Sequence, residues 1–182
     1  LGYTTYFSGE FKIDKEVDEE TYKLLDGLNK TRRMARKVAK KYGVEGEFYV
    51  NDKGEMGQAH DKTVINNKPP KTQPGLWCQW SICEDRTTIC WDGGEKFYEY
   101  TAWIKYLINK ILKPRGYTVN GEVRWQGEDY NDSGILCVER NNVTEKQAVT
   151  YYLSDDDARR VRKFIDEYLN HPLKELIDHR LN

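Results

Sequence analysis

Residues 76–129 constrain the fold more than any other part of the chain, because their hydrophobic period changes twice and they carry all five tryptophans. In the string Leu76-Trp77-Cys78-Gln79-Trp80-Ser81-Ile82 the period is 2, with Leu76, Trp80 and Ile82 on one side, which predicts a half-buried strand. The polar turn Cys83-Glu84-Asp85-Arg86 leads into Thr87-Thr88-Ile89-Cys90-Trp91, a second β-branched and aromatic run, so the two form a hairpin. Over 95–113 the period becomes 3.6, and Phe97, Tyr100, Ile104, Leu107 and Ile111 make one apolar stripe. Pro114 and Gly116 stop that helix, since proline excludes its predecessor from helical geometry and glycine tolerates positive φ. Val119, Gly121, Val123 and Trp125 then alternate with Asn120, Glu122, Arg124 and Gln126. A sheet with a helix on one face follows.

The flanking segments extend this frame. Residues 3–13 predict a strand with Phe7, Phe11 and Ile13 on one face and Tyr6, Ser8, Glu10 and Lys12 on the other. Asp18 starts a helix with acids in its first turn, apolar at Tyr22, Leu25 and Leu28 and continuing through a basic run to Tyr42, where Gly43 ends it. Residues 44–75 read as an irregular insert, with a short strand at Glu47-Phe48-Tyr49-Val50, a turn at Asp52-Lys53-Gly54 and an extended connection through Pro69, Pro70 and Pro74. Further strands are expected over 134–139 and 148–153. Ser154 caps a helix to residue 169, and Pro172 starts a short last one. The order strand, helix, insert, strand, strand, helix, strand predicts an α+β fold, a ferredoxin-like split βαβ sandwich with both helices on one face. It assigns 1–140 to that domain and 141–182 to a strand-helix extension packed on it.

Charged residues make up 32% of the chain and hydrophobic ones 38%. No apolar run approaches the ~20 residues a bilayer span requires, and the opening residues lack the pattern of a signal peptide, so a cytoplasmic protein is expected. Cys78, Cys83, Cys90 and Cys137 show no C-x-x-C spacing and read as reduced thiols packed in or near the sheet, with Cys78 and Cys90 as neighbours across the hairpin.

Net charge is −1, but the charges are segregated. Lys30, Arg32, Arg33, Arg36, Lys37, Lys40 and Lys41 occupy twelve positions without one acid. On a helix several would share a side, an array suited to phosphates or to an acidic protein surface; the alternative is a solvated helix face. Acids cluster at Glu128, Asp129 and Asp132 and at Asp155, Asp156 and Asp157, where they would meet a basic groove. On the open sheet face Glu10, Glu122 and Arg124, with Asp92 and Glu128 at strand ends, read either as acid/base carboxylates or as a plain polar face. His60, His171 and His179 lack metal or catalytic spacing, and Gly93-Gly94 reads as a turn and cap. No catalytic set, metal site or cofactor fingerprint is expected.

The strings Leu76-Trp77-Cys78-Gln79-Trp80, Trp91-Asp92-Gly93-Gly94-Glu95-Lys96-Phe97-Tyr98 and Asn120-Gly121-Glu122-Val123-Arg124-Trp125-Gln126-Gly127-Glu128-Asp129 resemble a family of small phage and bacterial proteins, most without an assigned function. Gly2-Tyr3-Thr4-Thr5 and Thr31-Arg32-Arg33-Met34 are similar too, so the resemblance covers roughly 2–140. Within that group the chain looks like a type II-A anti-CRISPR protein; the region after Val143 departs from the pattern. The resemblance implies a binder without catalysis that acts in the bacterial cytoplasm on a type II CRISPR effector nuclease with its guide RNA; contact with nucleic acid, DNA included, is an expectation from the basic run of residues 30–41 and not from the resemblance. Two other readings stand beside it: a nucleic-acid or nucleotide-binding module, and a small metal-dependent enzyme using the open-face carboxylates.

Overall fold

A computed structural model describes residues 2–51 and 61–169. It shows an α+β fold built on a six-stranded antiparallel sheet. The strands are β1 (Thr5–Ile13), β2 (Trp80–Ile82), β3 (Thr88–Trp91), β4 (Val119–Gly127), β5 (Ser133–Glu139) and β6 (Asn142–Gln147), in the order β2-β3-β1-β4-β5-β6. Helix α1 is Glu19–Lys30, α2 is Tyr100–Tyr106, and α3 is Asp155–Phe164. The chain divides into two compact units that meet between Ala148 and Val149.

Long central strands come from clean alternation. β1 and β4 pair over nine residues, from Thr5 opposite Gly127 to Ile13 opposite Val119. Phe11, Ile13, Val119, Val123 and Trp125 are buried on one face, while Tyr6, Ser8, Glu10, Glu122, Arg124 and Gln126 are exposed on the other. A one-residue slip would exchange the two sets, so the pattern itself fixes the register. Gly121 sits at φ +140°, and a Cβ there would lie 2.6 Å from the Glu10 carbonyl, so only glycine lets β1 and β4 approach this closely.

Both α1 and α2 pack on the apolar face. Asp18 caps α1 by accepting from the Thr21 amide at 2.7 Å, and Leu25 and Leu28 reach the core. α2 begins at Tyr100, later than the period suggests, because Lys96 and Glu99 adopt left-handed backbone angles that no helix tolerates. Phe97 is buried all the same, from a loop, so burial imitated helical spacing there. Beyond Tyr106 the helix widens into a π turn over Leu107–Leu112, with Leu107, Ile108, Ile111 and Leu112 buried. Gly116, at φ +80°, ends it where expected.

The core centres on an aromatic nest. Trp80 packs edge-on against Phe7 (5.3 Å), Phe11 (5.3 Å) and Phe97 (5.2 Å), and Phe7 meets Tyr100 at 4.9 Å. Trp80 stands opposite Trp91 in the β2–β3 hairpin, and Trp125 lies 5.9 Å from Tyr100. Rings so arranged add favourable edge-to-face contacts to the area they bury.

Several expectations are corrected. The basic run is not one continuous helix: α1 stops at Lys30, Thr31 turns the chain extended, Arg36 bridges to Val64, and only Lys40–Tyr42 returns to a single 3-10 turn. β2 starts at Trp80, because the backbone before it is spent elsewhere: the Leu76 carbonyl accepts from the Arg33 amide and that of Cys78 from the Asn29 side chain. Trp77 therefore precedes the strand, and Gln79 is buried, donating to the Glu95 carbonyl at 2.7 Å and accepting from the Trp91 indole at 3.1 Å. Residues 47–50 form turns and coil, since left-handed angles at Glu45 and Gly46 curl the chain. The strand sought at 148–153 lies instead at Asn142–Gln147, pairing with β5, so the sheet runs past residue 140. Its residues are nearly all exposed, as befits a sheet edge, and so show no alternation. The turn at 52–54 and the helix from Pro172 lie outside the described residues.

Candidate functional site

The structure divides the basic run of residues 30–41 between buried and exposed positions. Arg33 is only 2% exposed. Its guanidinium donates to Gln73 Oε1 (3.1 Å) and to the carbonyls of Tyr49 (2.6 Å), Glu47 (2.7 Å) and Gly46 (3.4 Å). Arg36, also 2% exposed, donates to Asp61 Oδ2 (3.1 Å) and Thr63 Oγ1 (3.2 Å) and stacks 4.7 Å over the Tyr49 ring. Burial pushes the Arg33 guanidinium down to about 10, still charged at neutral pH.

The reason is a shortage of donors. An irregular segment exposes carbonyls that no ladder satisfies, and a guanidinium brings five N–H groups in a fixed fork. Both arginines thus act as internal ties, Arg33 to residues 46–49 and Gln73, Arg36 to Asp61 and Thr63. Of the others, Lys30 pairs with Asp26 at 2.7 Å and Arg32 lies against Met34. Lys37, Lys40 and Lys41 are exposed, the last with its ammonium 4.9 Å over the Tyr42 ring. Among the described residues the run does not form one basic helix face, since only Lys30, at the end of α1, and Lys40 and Lys41, on a single 3-10 turn, are helical.

The acidic candidate in the first unit is better built. Glu128, Asp129 and Asp132 lie in the turn from β4 to β5, at the end where β1 begins. Glu128 accepts from the Thr4 amide at 2.7 Å. The Tyr3 hydroxyl donates to Asp132 Oδ2 at 2.7 Å and accepts from the Asp129 amide at 3.1 Å. The Gln126 side chain donates to the Asp129 carbonyl, and the Asp132 amide to the same carbonyl. Hydrogen bonding to Asp132 raises the Tyr3 hydroxyl above the ordinary phenol range.

Glu128 and Asp129 remain exposed, and exposed tyrosines lie on the elements that meet there: Tyr130 (63%) follows Asp129 in the loop, Tyr3 is bonded to it, Tyr6 (59%) pairs with Gln126, and Tyr98 is exposed as well. The Tyr98 hydroxyl reaches the Tyr3 amide at 3.4 Å. The result is a fixed negative loop with a tyrosine rim, suited to docking on a cationic surface. Reasoning from sequence found the acids and missed the tyrosines, which had been spread over a sheet face and two loops. The alternation that exposes Tyr6 was the available signal.

Asp155, Asp156 and Asp157 belong to the second unit. Ser154 Oγ caps α3 by accepting from the Asp157 amide at 3.2 Å, while Asp156 and Asp157 face Arg159 and Arg160 one turn on. These acids begin a helix, where its dipole favours them.

On the open face Glu10 stands directly opposite Glu122. Lys12 lies 3.0 Å from Glu10, and the Cys137 thiol donates to Glu122 at 3.6 Å. Arg124 is exposed beside them. Asp92 caps the Gly93-Gly94 turn by accepting from the Gly94 amide at 2.8 Å and takes a second bond from Asn29. Cys78 is buried and does not meet Cys90; the Cys90 sulfur lies 3.0 Å from Cys83 instead. Among the described residues no three His, Cys, Asp or Glu side chains gather as a metal site, and no helix is long and apolar enough to cross a membrane. The three histidines lie outside the described residues.

No protein-family model, no curated protein and no solved structure matches this chain.

Proposed function

We propose that this protein is a non-catalytic inhibitor of a type II CRISPR endonuclease, acting in the cytoplasm of a phage-infected bacterium by occupying the effector's surface. The observation that carries the reading is the acidic loop of Glu128, Asp129 and Asp132, tied by hydrogen bonds to Tyr3 and Thr4 just before β1, with exposed tyrosines on the neighbouring elements. A guide-loaded effector presents basic channels for nucleic acid, and a prepositioned negative surface loses little conformational entropy on meeting one. The three strings that resemble the phage family support it further, because they converge: they supply Trp80, Trp91, Phe97 and Trp125 of one aromatic nest beside that loop. The antiparallel order β2-β3-β1-β4 supports a ferredoxin-like frame, to which β5 and β6 add an edge.

Titration against guide-loaded nuclease tests this. Inhibition should saturate near one protein per effector and weaken as salt screens the charges. Glu128→Lys with Asp129→Lys should lower potency by roughly tenfold or more. Substoichiometric inactivation that survives removal of the protein would instead mean catalysis. A second reading, a nucleic-acid-binding module, draws on the exposed Lys37, Lys40 and Lys41. It predicts salt-sensitive DNA or RNA binding that their reversal to glutamate removes, and no inhibition of any type II effector.

A further inference from the structure

The β2–β3 hairpin holds a pair of cysteines whose placement none of the preceding chemistry uses. Cys83 directly follows β2, its amide bonded to the Thr88 carbonyl, and Cys90 lies within β3; the strands pair Ser81 with Cys90 and Ile82 with Ile89, which sets the two cysteines diagonally on the open face. Their sulfurs are 3.0 Å apart, both thiols are reduced, and both residues are half-exposed. Cys78 is buried, and Cys137 lies on β5, two strands beyond β1; burial pushes the Cys78 thiol up to about 12, and burial followed by the hydrogen bond with Cys90 pushes the Cys83 thiol up to about 12 as well.

The hairpin tip cannot readily carry the two sulfurs apart. The Cys83 amide donates to the Thr88 carbonyl (2.8 Å), and the Arg86 amide donates to the Cys83 carbonyl (3.0 Å). Asp85 accepts from the amides of Thr87 and Thr88, each at 2.9 Å. From β1, Lys12 donates to the Thr88 hydroxyl (2.7 Å) and the Ile13 amide to the Thr87 carbonyl (2.7 Å). Arg86 is paired with Glu19 and lies 4.8 Å over the Tyr22 ring, which ties the tip to α1. From 3.0 Å, a bond of about 2.05 Å requires the sulfurs to close by only about 1 Å.

We propose that Cys83 and Cys90 form a reversible dithiol modification site, which a hydroperoxide closes into an intrachain disulfide. One thiol attacks the peroxide O–O bond, giving a sulfenic acid and releasing the alcohol or water. The second sulfur then displaces the sulfenic oxygen as water, forming the S–S bond, so two thiol hydrogens and two electrons reduce one peroxide. A dithiol reductant reverses it by exchange. A thiol beside a resolving neighbour has this chemistry, and an intrachain product in a reducing compartment is transient and responsive to oxidant. Closure fastens the three-residue edge strand β2 to β3 covalently.

The test is hydrogen peroxide applied to the folded full chain, followed by N-ethylmaleimide in denaturant so that buried Cys78 is also reached, then digestion and peptide mass mapping. The expected result is loss of two of the four alkylation sites together, a Cys83–Cys90 cross-linked peptide in a monomeric chain, and its reversal by dithiothreitol. Cys83→Ser and Cys90→Ser should each abolish the cross-link, whereas Cys137→Ser should leave it. Should the serine variants fail to fold, phenylarsine oxide on the unoxidised parent gives a second measurement: it bridges adjacent thiols and should shield Cys83 and Cys90 alone from alkylation. A cross-link through Cys78 or Cys137, an interchain product only, over-oxidation without a cross-link, or arsenical protection of another pair or of none would each overturn the proposal.

Discussion

Arg33 shows how one side chain can stand in for secondary structure. Its fork satisfies three carbonyls and a glutamine oxygen that the 44–75 segment leaves without ladder partners. Removing it would strand those acceptors in a dry site, so Arg33→Ala should cost ~3–5 kcal/mol. Lys37→Ala, at an exposed position in the same run, should stay within ~0.5 kcal/mol. Urea unfolding followed by tryptophan fluorescence measures both, since all five tryptophans lie in the unit that ends at Ala148. A comparable shift in the two variants would return Arg33 to the surface. Sequence located these residues but not their role, because seven cations without an acid look alike whether they face water or carbonyls. What separates them is tertiary: which extended segment needs donors.

Elements divide between those written in local pattern and those decided at a distance. β1 and β4 were legible because one face is dry and the other wet over nine residues. The start of α2 was not, since left-handed angles at Lys96 and Glu99 leave the hydrophobic spacing unchanged. The acidic candidate was legible by composition, its tyrosine rim only through the fold. On β4, Trp125→Ala should cost ~3–5 kcal/mol, for its ring is buried; Trp91→Ala, half-buried on β3, should cost clearly less. Equal losses in chemical denaturation would contradict the packing described. The β2–β3 tip also carries a pH signature. Hydrogen bonds, first from the Thr88 hydroxyl and then from the Thr87 amide, hold the Asp85 carboxyl down at about 2, against 3.8 ordinarily. A carboxyl depressed in the folded state adds stability above its unfolded value and loses it as pH falls towards the folded one. Stability should therefore decline from about pH 4 to about pH 2, and Asp85→Ala should flatten that decline. Thermal melts at stepped pH would show it; an unchanged slope would remove Asp85 from the account.

At the scale of the molecule, the sheet joins residues far apart in sequence. Phe7 pairs with Trp125 and Thr5 with Gly127, while the hairpin and α2 lie between them. Folds dominated by such pairings close slowly, so refolding of the first unit should take milliseconds to seconds rather than microseconds. Stopped-flow fluorescence reads this directly, and a complete microsecond phase would be inconsistent with late β1–β4 closure.

That pairing has a consequence for how the protein is made. A ribosome releases β1 first, yet its neighbours β3 and β4 follow only after dozens of further residues have been translated. Throughout that interval Phe7, Phe11 and Ile13 form an aromatic and aliphatic segment on a nascent chain with nowhere to dock. The acidic loop inherits the same delay, because the tyrosine that fixes it is Tyr3, near the front of the sequence, and the carboxylates it holds emerge more than a hundred residues later. The surface proposed for binding thus exists only once translation has passed Asp132, and no truncated product ending before that point can present it.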